Sequence, residues 1–62
     1  MNLYVYPAGG DIFDLEWPDG WRIPVAGELL LIGPDEYQVI LVQWELHQGS
    51  DAPSVQLRVT DV

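Results

Sequence analysis

Apolar and polar residues alternate with a period of two through most of this sequence, and glycine- and proline-rich turns interrupt the pattern every few residues. That period belongs to a β-strand with one buried face, because successive strand side chains point to opposite sides. From Asp11 to Trp17, residues Phe13, Leu15 and Trp17 fall on one face and Asp14 and Glu16 on the other. From Ser54 to Thr60, Val55, Leu57 and Val59 face one way and Gln56, Arg58 and Thr60 the other. Asn2 to Tyr6 is rich in tyrosine and valine, residues that suit a strand. Pro7-Ala8-Gly9-Gly10 joins it to the next strand as a hairpin, and Pro18-Asp19-Gly20 turns the chain again.

The middle of the chain is less regular. Trp21 to Val25 reads as extended, with Pro24 confined to an edge, a bulge or a strand end because it lacks an amide donor. Glu28 to Ile32 is short and apolar between Gly27 and Gly33, which favours a strand over a helix. After the turn at Gly33-Pro34-Asp35-Glu36, the longest strand runs from Tyr37 to about Leu46. Its first half is apolar on both faces, and its second half puts Val42, Trp44 and Leu46 opposite Gln43, Glu45 and His47. A strand passing from a doubly covered to a half-exposed region has this pattern.

These elements predict an all-β single domain over residues 1–62: a small antiparallel five- to six-stranded barrel or strongly curled sheet. A flat sheet of this length cannot cover both of its faces, whereas curling buries one face and removes open edges. The predicted core is Leu3, Val5, Phe13, Leu15, Ile23, Leu29, Leu31, Val39, Leu41, Val42, Trp44, Val55, Leu57 and Val59. The run Ile23-Pro24-Val25-Ala26-Gly27-Glu28, then Tyr37-Gln38-Val39 and a strand ending in Trp44, resembles small SH3-like barrels. In those domains a Pro-x-x-Gly-acid turn precedes a strand and a Tyr-x-Val strand follows the next turn. The resemblance implies a barrel and no activity.

Charge narrows the choice of partner. Ten acids face two arginines, Arg22 and Arg58, for a formal net charge of -8. Such a surface repels phosphate backbones and anionic lipid head-groups, so basic protein partners are expected, and neither nucleic acid nor membrane directly. With no basic leader and no apolar run beyond Leu29 to Ile32, the expected location is the cytoplasm. The absence of cysteine excludes disulfides, thiolate metal sites and cysteine nucleophiles.

Catalytic constellations are thin. Ser50, His47 and Glu45 can be drawn as a triad, but an exposed histidine at a strand end accounts for the same residues. Asp14 with Glu16 has the residue types of an acid–base pair and equally those of a solvated strand face. Asp11, Asp14, Glu16 and Asp19 are crowded together, yet no Asp-x-Asp-x-Asp-Gly calcium loop is present. No enzyme activity, metal or cofactor is therefore expected. Trp44 reads as core. Trp17 and Trp21 flank a turn and suit either an aromatic pair or an exposed contact.

Two functional readings stay open. Outward acids at every second strand position repeat on the scale of successive phosphates along a DNA strand. Asp11, Asp14, Glu16, Asp19, Asp35, Glu36 and Glu45 are the expected partner-binding set. In size, charge and lack of a catalytic set, the chain resembles the small acidic inhibitors that phages encode against host defence, including anti-CRISPR proteins that mimic DNA. That resemblance implies binding to a basic nucleic-acid-binding protein or complex, such as a CRISPR–Cas effector, in the host cytoplasm. The other reading is a structural or adaptor module, such as a phage accessory protein, that docks through an apolar patch including Trp17, Trp21 or Tyr6. Acids gathered on one face favour the mimic. Scattered acids beside an exposed aromatic patch favour the adaptor.

Overall fold

The computed structural model describes residues 1–49 and 52–62. Five strands form one sheet: β1 (Asn2–Pro7), β2 (Phe13–Glu16), β3 (Leu29–Ile32), β4 (Asp35–Glu45) and β5 (Ser54–Asp61). Their order across the sheet is β2-β1-β5-β4-β3. The sheet curls strongly into a half-barrel and the described residues contain no helix, as the alternation predicts.

β5 is the centre. Leu3, Val5, Tyr37, Val39, Val55, Leu57 and Val59 are the buried hydrophobic residues, and all lie on β1, β4 or β5. From Val55 to Val59 every second residue of β5 is buried, because the strand has a neighbour on each side and a covered inner face. Phe13 and Leu15 of β2, and Leu30 and Ile32 of β3, pack against this centre from the two sides.

The pairing differs from an all-antiparallel sheet in one place. β1 and β5 run parallel, with Leu3 opposite Val55 and Val5 opposite Leu57. β2 and β3 consequently lie at opposite edges, and residues 17–28 must cross from one edge to the other. The expected strand from Trp21 to Val25 does not form. This segment is irregular and lies over the core, with Pro24 buried and Trp17 and Ile23 packed against the cluster. A proline without an amide donor serves a covering layer better than a ladder.

The crossing ends in a defined turn. The Glu28 amide donates to the Val25 carbonyl at 3.1 Å, and Gly27 between them has φ 95°, the positive value a type II turn requires at that corner. The Gly27 amide donates to the Val39 carbonyl and the Val39 amide to the Glu28 carbonyl, both at 2.8 Å. Two residues thus oppose one, a bulge whose first position favours glycine. Gly33, with φ 61°, then takes the first corner of the tight turn between β3 and β4.

Four residues expected in the core are exposed: Leu29, Leu31, Leu41 and Trp44. β3 has the opposite face assignment, with Leu30 and Ile32 inward, because a run of four apolar residues contains no alternation to read. In β4 the pairing skips Ile40, with Val39 opposite Val59 and Leu41 opposite Arg58. This bulge turns Leu41 outward and restores Val42 to the core face opposite Leu57. Trp44 stands on that same face opposite Val55, but it is 49% exposed and lies outside the buried cluster.

Candidate functional site

The sheet does not close, so β2 and β3 each present a free edge. Along β2, the Trp17 amide donates to the Met1 carbonyl at 2.8 Å and the Met1 amine to the Trp17 carbonyl at 3.4 Å. In an antiparallel pair such bonded positions alternate, so Leu15 and Phe13 bond inward to β1 while the backbone of Asp14 and Glu16 faces away. Their side chains are exposed on the outer face of the sheet. Asp11 and Asp19, also exposed, flank the strand. Of the expected contact acids, Asp14 and Glu16 therefore stand on one edge strand, and Asp11 and Asp19 lie within a few residues of it in the chain.

Little positive charge offsets them. The N-terminal amine lies 3.8 Å from Glu16 Oε1, and no other ion pair among the described residues involves these four acids. Arg22 is committed to Glu28, donating from Nη1 and Nη2 to its two carboxylate oxygens at 2.8 and 2.6 Å. The Val25 amide also donates to Glu28 Oε1 at 2.6 Å. The hydrogen bond from Arg22 and then that from Val25 lower the Glu28 pKa from 4.5 to about 2. Arg58 lies 5.6 Å over the Tyr6 ring.

The remaining expected acids lie elsewhere. Asp35 and Glu36 begin β4 and, with Asp61, border an open hollow of about 480 Å³ that also touches Gly9 and Gly10. Burial and the nearby Asp35 and Asp61 carboxylates raise the Tyr37 pKa. Glu45 stands at the opposite end of β4, where it accepts a hydrogen bond from Gln56 Nε2 at 2.9 Å and lies 3.9 Å from His47 Nε2. The expected seven thus divide into two on β2, two flanking it in the chain, a pair at one end of β4 and a single acid at the other.

Glu45 and His47 are both exposed, beside an open hollow of about 620 Å³ bounded by Tyr4, Tyr6 and Gln56. Ser50 and Asp51 lie outside the described residues. Among the described residues, no group of three or more histidines and acids is arranged to hold a metal ion. Trp17 and Trp21 form an edge-to-face pair with ring centroids 5.7 Å apart, in which Trp17 is half-buried and Trp21 exposed.

The alternation did not reveal the second free edge. Val39 bonds to Glu28, so by the same alternation Leu30 and Ile32 bond inward to β4, while the backbone of Leu29 and Leu31 faces outward. Leu29 is 56% and Leu31 73% exposed. The sequence signal was the lack of any charge between Glu28 and Asp35, which an edge strand ordinarily carries. No known protein family, characterised protein or solved structure matches the chain.

Proposed function

We propose that this protein binds a basic, nucleic-acid-binding protein or complex through its β2 edge and competes there with DNA or RNA. The supporting observation is the exposed pair Asp14 and Glu16 on edge strand β2, with exposed Asp11 and Asp19 before and after it in the chain, while Arg22 is bonded to Glu28 and Arg58 lies over Tyr6. A ridge of carboxylates suits a groove lined by lysine and arginine, and the net charge of -8 steers the encounter from a distance. Chemistry plays no part in this role: the protein occupies the groove and excludes the nucleic acid.

The test is capture from lysate on the immobilised protein, followed by elution with duplex DNA or with salt. Retained proteins should be basic nucleic-acid binders that duplex DNA releases. Binding should weaken steeply with salt, since exposed charges are screened beyond about 10 Å at 0.1 M. Asp14→Lys with Glu16→Lys should weaken capture far more than Asp35→Lys with Glu36→Lys, which makes the same change in net charge on the other hairpin. Equal effects of the two pairs would sink the edge assignment. A second reading, the adaptor, has one observation in its favour: Trp44 and Leu46 are both exposed near the end of β4. It takes over if Trp44→Ala with Leu46→Ser abolishes capture while the Asp14/Glu16 reversal binds normally.

A further inference from the structure

We propose that the free edge of β3 pairs with the same edge of a second copy, joining two sheets through antiparallel Leu29–Ile32 strands about a two-fold axis. The backbone geometry is self-complementary. Leu29 and Leu31 are the two residues of β3 whose amides and carbonyls face the edge, and among the described residues no backbone bond outside the sheet engages them. With Leu30 on the axis, Leu29 of each copy stands opposite Leu31 of the other, so every outward donor meets an outward acceptor. The same register keeps side chains on matching faces. Leu29 and Leu31 of both copies meet on the outer face, and Leu30 of both copies on the inner face, as a two-fold interface requires.

Charge argues for a second copy at this edge and against one at the other. Two chains of net charge -8 repel, and pairing β2 with β2 would bring carboxylates against carboxylates. β3 itself carries no charge, and the acid at its start, Glu28, is bonded to Arg22. Here two like-charged chains can approach. The strand supplies four residues a side, against about 20–30 a side in a standard interface, so the dimer is reversible and concentration-dependent. Salt should tighten it by screening repulsion between the copies, the opposite of its effect on the β2 contact.

The experiment is sedimentation of the free protein from micromolar to millimolar concentration, at low and moderate sodium chloride, with amide hydrogen exchange at both ends of the range. The expected result is a monomer–dimer equilibrium that shifts toward dimer with salt. Exchange at the Leu29 and Leu31 amides should slow with concentration, while exchange at Asp14 and Glu16 should not. Leu29→Glu with Leu31→Glu, which places introduced carboxylates opposite one another across the axis, should weaken association at least about tenfold, equivalent to about 1.4 kcal/mol. A wild type that stays monomeric at millimolar concentration overturns the proposal, as does slowed exchange on β2 in place of β3. A folded double variant that dimerises like wild type does so too. Should that variant not fold, the wild-type exchange pattern decides. None of these readouts involves the basic partner, so each proposal can fail alone.

Discussion

The two edge strands, β2 and β3, have the same length and the same hydrogen-bonding geometry. Each is four residues long, each bonds through alternate positions to a longer neighbour, and each turns two backbone units outward. At those positions β2 carries Asp14 and Glu16, and β3 carries Leu29 and Leu31. An unpaired strand edge is a template for another strand unless something blocks it, and charge is a common block. The backbone offers the same opportunity on both sides, so the side chains alone separate a charged edge from an apolar one.

Both edges depend on β5, and the largest effect is expected there. Leu57 is fully buried between β1 and β4. Leu57→Ala should cost about 2–5 kcal/mol by lost burial and a residual cavity, enough to unfold much of a domain this small. Chemical denaturation would show it, and both edges would be lost together. The next largest effect should come from making the edges alike. Asp14→Leu with Glu16→Leu removes the charge from β2 and leaves two apolar edges on one sheet. Light scattering should then report open-ended, concentration-dependent association, where the pairing proposed for the wild type closes at two copies. A variant that stays as soluble and as small as wild type would show that charge is not what guards β2.

A smaller effect is expected where the sheet is uncovered. Trp44→Ala should cost under about 2 kcal/mol, against about 3–5 kcal/mol for emptying a fully buried aromatic site. Trp44 packs on only one side, being half exposed. A larger loss in denaturant titration would mean that the end of β4 is covered in solution. The smallest effect concerns the Arg22–Glu28 clamp that leads into β3. With the Glu28 pKa depressed from 4.5 to about 2, its contribution is fully present above pH 4.5 and fades as pH falls toward 2. The pair is exposed and screened by solvent, so the gain is modest. Wild type should melt above Glu28→Gln at pH 6, and the difference should shrink between about pH 4.5 and 2. A constant difference across that window would detach Glu28 ionisation from stability.

Much of the inner face was legible in the sequence. Leu3, Val5, Val55, Leu57 and Val59 are buried as their alternation implies, and Asp14 and Glu16 are exposed opposite Phe13 and Leu15. The tryptophan pair was open between packing and exposure, and the structure divides it, with Trp17 packed and Trp21 exposed. Leu29, Leu31 and Leu41 were not legible. β3 is apolar at every position, so either face assignment satisfies its pattern, and the bulge at Ile40 shifts the phase of β4 where that strand is apolar on both faces. Of the acidic set, residue type and phase placed Asp14 and Glu16. The separation of Asp35 and Glu36 from Glu45 followed from the length of β4, which carries them to opposite ends.

Residue order alone sets the all-β class, the turn positions and the face that β1, β2 and β5 bury. These follow from side-chain period and backbone preference within a few residues. Long-range pairing sets the rest: β1 lies parallel to β5, residues 17–28 cross over the core without forming a strand, and the half-barrel leaves two edges free. Alternation says which side of a strand meets the core and nothing about which strand lies beside it. That choice rests on hydrogen bonds and packing between segments far apart in the chain: Leu3 beside Val55 at the centre, and Asp14 and Leu31 on edges that no strand of the same molecule reaches.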